Sequence, residues 1–94
     1  MKSRLISRNI IINGRRTSMR LEEASWEAID EICSHEGVSL NVLCSAIDQR
    51  RNSSSRTAAV RAFIVTYFRD VARENGGFPA GRVDSLIPGF SLSG

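Results

Sequence analysis

Between Arg15 and Leu21 apolar and polar residues alternate: Thr17, Met19 and Leu21 fall on one side, Arg16, Ser18 and Arg20 on the other. A period of two predicts a half-buried strand with one moderately apolar face and one basic face. Asn13-Gly14 stands just before it. That dipeptide predicts a two-residue type I′ turn, because both central residues of such a turn need positive φ. The β-branched run Ile10-Ile11-Ile12 on the other side of the turn then becomes the partner strand of a hairpin.

From Glu22 the period changes. Trp26, Ile29, Ile32 and Cys33 are spaced for one helical face, with Glu22, Glu23 and Glu27 near the start, where the helix dipole favours negative charge. Gly37 supplies the stop and Ser39 an N-cap for a second helix. Leu40, Leu43, Cys44 and Ile47 share a face of that helix, which is expected to run to Gln49 or Arg51. A serine of the Asn52-Ser53-Ser54-Ser55 link is expected to cap a third helix from about Arg56 to Glu74, closed by Gly76-Gly77. Its stripe of Val60, Phe63, Ile64, Tyr67, Phe68 and Val71 demands a partner surface. The pattern divides the chain into a basic N-terminal arm with a hairpin strand (1–14), a main domain with a third helix (15–75) and a flexible tail (76–94).

Length sharpens this picture. Of the 94 residues, roughly 75 form the compact part, a size at which a lone core is marginal, so oligomerisation is expected. The strand also needs a neighbour for its backbone groups. Antiparallel pairing with its copy in a second chain supplies one, and leaves Arg16, Ser18 and Arg20 projecting outward, doubled by symmetry.

Charge gives that outward face a direction. The net charge is +3, but residues 1–20 hold Lys2, Arg4, Arg8, Arg15, Arg16 and Arg20 and no acid, whereas residues 21–52 set seven acids against Arg50 and Arg51. A basic leading edge on an acidic helical body suits a polyanionic partner, although basic termini are also commonly solvated tails. The major groove admits a two-stranded ribbon, Arg suits bidentate contact with guanine, and Ser donates or accepts at either kind of base pair. The plain reading of Arg16 and Arg20 is a solvated edge strand kept soluble by charge.

In order along the chain come the strand RRTSMRLEE at Arg15 to Glu23, a first helix opening with Trp26, the Gly37-Val38-Ser39 turn and a second helix beginning Leu40-Asn41. These features resemble the ribbon-helix-helix repressors, the family of the Arc and Met repressors, which read DNA with a β-ribbon. NGRRTSMRLEEASW, the serine-rich link and the aromatic-rich third helix look like a bacterial subgroup of short members of that family. The resemblance covers roughly Ile11 to Tyr67. It implies a mainly α fold with a short β ribbon, formed as a ribbon-helix-helix homodimer, here with an N-terminal hairpin arm and an added third helix.

The resemblance also implies roles. Arg16, Ser18 and Arg20 correspond to the family's base-contacting residues, and Thr17, Met19 and Leu21 to its core strand residues. Ser39, Leu40 and Asn41 correspond to its phosphate clamp. Free amides at a helix N-terminus independently suit phosphate. Arg15, beside the turn, is expected at phosphate or solvent. The arm is a departure from minimal family members: paired to the ribbon's outer edge it makes a four-stranded dimer sheet, wide for one groove. Either it lifts away on binding or it follows a phosphate backbone with Arg4 and Arg8. The third helix enlarges the dimer core or forms a tetramer contact.

The function expected is a sequence-specific DNA-binding transcriptional regulator, a repressor, with double-stranded DNA and a second copy as partners. The alternative is an antitoxin or other interaction module whose tail, with Phe78, Val83, Leu86, Ile87 and Phe90, folds onto a toxin. An enzyme has no support from a Gly-rich phosphate loop, paired carboxylates or a triad. No cofactor is expected. Cys33 and Cys44 read as small apolar residues, and a metal site with His35 lacks a fourth soft ligand. No apolar run approaches the roughly 20 residues that cross a bilayer, and no signal-peptide pattern is legible. A cytoplasmic location is expected.

Overall fold

The computed structural model describes residues 4–75. Strand β1 (Leu5–Ile12) and strand β2 (Arg15–Glu22) form an antiparallel hairpin. Helices α1 (Glu23–Glu36), α2 (Leu40–Arg50) and α3 (Arg56–Glu74) follow. The turn forms where its chemistry demands: Asn13 has φ 50° and Gly14 φ 81°, the two positive values of a type I′ turn. It sets the register, from Ile12 opposite Arg15 to Leu5 opposite Glu22.

That register sorts every side chain. Ile10, Ile12, Met19 and Leu21 are buried on the inner face, while Ser7, Asn9, Ile11, Arg16, Ser18 and Arg20 are exposed on the outer one. The inner four join Trp26 and Ile29 of α1, Cys44 and Ile47 of α2, and Val60 of α3 in one core. Each large aliphatic or aromatic side chain so buried contributes about 1.5–3 kcal/mol. β1 extends well beyond its isoleucines. Arg8, a cation at an inner-facing position, interrupts the apolar pattern, and it is stabilised in place by lying 4.6 Å from the Trp26 ring centroid and forming two 3.0 Å hydrogen bonds to Asp30.

The helix ends follow local chemistry. Gly37 closes α1 in the left-handed conformation, at φ 68°. Ser39 accepts the Val42 N–H and Ser55 the Ala58 N–H, capping α2 and α3, contacts typically worth about 1 kcal/mol each. Glu22, at the start of α1, makes no such cap. Its carboxylate instead takes two 3.0 Å bonds from Arg61, tying the ribbon's end to α3. Asp48 holds both Arg51 and Arg56 at 2.7 Å and so straps the α2–α3 link.

Only Val60 of the α3 stripe is fully buried. Phe63 and Ile64 pack at the core's margin, and Tyr67, Phe68 and Val71 are half-buried. The Tyr67 hydroxyl donates to Glu36 at 2.7 Å. Among the described residues no helix is long and apolar enough to cross a membrane.

Candidate nucleic-acid interface

The outer face of the hairpin brings Arg16, Ser18 and Arg20 of β2 into line beside Ser7, Asn9 and Ile11 of β1, with Arg16 opposite Ile11, Ser18 opposite Asn9 and Arg20 opposite Ser7. The guanidinium groups of Arg16 and Arg20 have no hydrogen bond or ion pair among the described residues. The Ser18 hydroxyl shares a 2.8 Å hydrogen bond with that of Ser7. The sequence reading missed Ser7 and Asn9. Carrying the parity of Ile10 and Ile12 back along β1 places both on the outer face, so the signal was present.

The two edges of the hairpin differ. In a two-residue hairpin the pair closing the turn is hydrogen-bonded, so alternate residues aim their backbone groups away from the partner strand. On β1 these are Leu5, Ser7, Asn9 and Ile11; on β2 they are Arg16, Ser18, Arg20 and Glu22. α2 covers the turn end of β1's edge: the Ile11 N–H donates to Asn41 Oδ1 at 2.9 Å and the Ile11 carbonyl accepts from Ser45 at 3.4 Å. Ser45 also accepts the Asn13 N–H at 3.0 Å, and Gln49 donates to the Asn13 side chain at 3.3 Å. Among the described residues the backbone groups at Arg16, Ser18 and Arg20 on β2's edge have no partner.

The predicted phosphate residues divide. Asn41 meets the ribbon, lining a hollow with Asn9, Ile11 and Arg16. With Oδ1 held by Ile11, its Nδ2 is the atom left to donate outward. Ser39 Oγ accepts the cap bond from Val42, which leaves its O–H and backbone amide to donate to an anion, and Leu40 packs its side chain against the core, which leaves its backbone amide. Arg15 is exposed at the turn, a region gripped by Ser45 and Gln49, one and two helical turns beyond Asn41. The structure does not bring it to the N-terminus of α2. Arg8 lies under the sheet on Trp26 and Asp30, away from the outer face.

Two thiols and an imidazole complete the candidate chemistry. Cys44 is buried, and burial pushes its thiol up to about 11; Cys33 is raised less, again by burial. His35 packs edge-on to Tyr67 at 6.4 Å. α3 ends at Glu74 with Asn75 as its C-cap; Gly76-Gly77 and the tail offered to a toxin lie outside the described residues.

Comparison with known proteins supports the same architecture. Residues 5–68 match the model of the ribbon-helix-helix domain. Among solved structures, an uncharacterized protein from Bordetella pertussis Tohama I is similar at a TM-score of 0.62 and 21% identity, over 96% of this chain and 81% of that one. That likeness is one of fold. No curated protein matches the chain. A two-stranded ribbon followed by helices, with the family match spanning both, establishes that the chain belongs to the ribbon-helix-helix domain family, a non-enzymatic class of DNA-binding and regulatory proteins.

Proposed function

We propose that this protein is a sequence-specific transcriptional regulator, a repressor in the cytoplasm, that binds double-stranded DNA as a homodimer. The observation that carries the reading is the free edge of β2. The strand bearing the unpaired Arg16 and Arg20 also has unpaired backbone groups, whereas α2 covers part of the opposite edge of the hairpin. Antiparallel pairing of β2 with its copy satisfies those groups and brings four outward arginines together at the two-fold axis.

Strand spacing then assigns the arm a place. Strands lie about 4.8 Å apart, so a sheet ordered β1-β2-β2-β1 spans roughly 14 Å between its outermost strands. The major groove is about 12 Å wide. The central pair fits within it, and each β1 lies over a groove wall, where the phosphates run. Arg16, Ser18 and Arg20 read bases from the centre. Asn41, the Ser39 and Leu40 amides and, near the turn, Arg15 hold phosphates, fixing register without reading sequence.

Selection of bound sequences from a random DNA pool, followed by affinity measurements over a range of salt, tests the reading. A two-fold site should emerge. Arg20→Ala should cost about 1–3 kcal/mol per lost base contact and relax preference at one position of each half-site. Retention of full affinity and selectivity by the Arg16→Ala, Arg20→Ala double variant would sink it.

A further inference from the structure

We infer that Ser7 of β1 is a positioning residue for DNA reading: it accepts the hydrogen bond of the Ser18 hydroxyl and so fixes Ser18 as an acceptor that reads an amino group on a base. The two Oγ atoms lie 2.8 Å apart. They meet across a diagonal of the outer face, since Ser18 stands opposite Asn9 and Ser7 opposite Arg20. Both residues are exposed, and among the described residues neither hydroxyl has another partner. The inference rests on the DNA-binding reading above.

A second copy leaves this pair open. A partner strand adds in the plane of the sheet, at the free edge of β2, whereas side chains stand perpendicular to that plane. Ser7 moreover belongs to β1, the strand farther from that edge. Pairing two chains through β2 therefore carries the Ser7–Ser18 pair, once from each chain, onto the outer face of the four-stranded sheet.

The direction of the bond follows from what each serine faces. A hydroxyl has one proton and two lone pairs, so a lone Ser18 can donate or accept and tells an amino group from a carbonyl poorly. Bonded to Ser7, it has two exclusive states. If it donates to Ser7 it offers DNA an acceptor only; if it accepts from Ser7 its proton stays free for DNA. Ser7 decides between them. On β1, over the groove wall, it faces phosphate oxygens, which only accept. Its proton goes to phosphate, and its oxygen is left to accept from Ser18. A chain results in which the base amino group donates to Ser18, Ser18 to Ser7 and Ser7 to phosphate. Every proton then points toward the anion, an order in which each bond polarises the next. Ser18 Oγ accepts from adenine N6 or cytosine N4 and is repelled by thymine O4 or guanine O6.

Competition binding of the full chain to its selected operator, and to a copy with the pair read by Ser18 inverted, tests the inference. That pair is the one at which Ser18→Ala loses its preference. Inversion exchanges the amino and carbonyl positions in the groove. Wild type should disfavour the inverted site by roughly fivefold, the worth of one neutral hydrogen bond. Ser7→Ala should bring the two sites to nearly equal affinity, because the released Ser18 hydroxyl can donate or accept, while preferences at the pairs read by Arg16 and Arg20 persist. Ser7→Thr keeps the hydroxyl and should retain the wild-type ratio. A base analogue lacking the exocyclic amino group at that pair should cost wild type the same roughly fivefold and cost Ser18→Ala nothing. An unchanged ratio in Ser7→Ala, a relaxation spread equally over every pair, a Ser18→Ala variant that loses no preference, or wild-type indifference to the analogue would overturn the inference. The Arg16→Ala, Arg20→Ala double variant separates the two readings: loss of selectivity there beside an unchanged Ser7→Ala ratio removes this inference alone, whereas a wild-type chain that selects no site removes both.

Discussion

The side-chain oxygen of Asn41 accepts the backbone N–H of Ile11 at 2.9 Å, so the first turn of α2 occupies a position on β1 where another strand could otherwise add. An exposed strand edge with free amides is a template for pairing with further chains. One side chain thereby helps leave β2 as the edge open to a partner.

Asn41→Ala should lower stability by about 1 kcal/mol, the net worth of a neutral hydrogen bond. It should also add species larger than the proposed dimer, because the Ile11 amide is released. Urea denaturation and sedimentation velocity read the two effects separately. An unchanged size distribution would argue against edge protection.

Arg8 gives a contrast between structural and DNA-contacting roles. It lies over Trp26 and pairs with Asp30, and both partners of that pair are well exposed, so the ion pair adds little. The cation–π contact is worth about 0.5–1 kcal/mol. Arg8→Ala should therefore destabilise by about that amount and leave the salt dependence of DNA binding unchanged. A slope reduced by about one would instead reveal a phosphate contact.

Acid should loosen the helical frame at two carboxylates. Arg61 holds Glu22 below its ordinary value of 4.5, and Arg56, then Arg51, hold Asp48 below 3.8. A carboxyl with a depressed folded pKa contributes stability that is present above the unfolded value and lost as pH falls through the folded one. Stability should thus decline as pH drops below about 4.5 for Glu22 and 3.8 for Asp48. In urea titrations at stepped pH, Glu22→Gln and Asp48→Asn should each flatten this decline.

Tyr67 offers an alkaline counterpart. Its hydrogen bond to Glu36, with partial desolvation, pushes the phenol from 10.0 up to about 12. The folded state favours the neutral phenol, so the associated stability is present below 10 and is lost as pH rises toward 12. It is the chain's single tyrosine, and phenolate absorbance therefore reports it directly. The midpoint should fall toward 10 on unfolding and in Glu36→Gln.

Much of the frame was legible because its signals are local. Asn13-Gly14 demanded positive φ at two successive residues, and the resulting turn set the parity of both strands. Gly37, Ser39 and the serine run before Arg56 marked helix ends through backbone conformation and side-chain caps within a few residues; which serine caps α3, Ser55, came from the structure. The outward set of Arg16, Ser18 and Arg20 followed from alternation alone. β1 was harder to delimit: Arg8 breaks the inner stripe, and only the ring of Trp26 and the carboxylate of Asp30, 18 and 22 residues away, make an inward cation tolerable.

Tertiary structure decided the remainder. That α2 lies against β1 and covers the Ile11 backbone depends on contacts between residues about 30 apart, and that its other face turns toward α3 depends on the packing of two finished helices. Strand parity and helix caps are determined by neighbours along the chain, so the sequence by itself carried them. Which strand edge stays open, and where Arg8 comes to rest, depend on how finished elements pack around a shared core, and no local pattern encodes that arrangement.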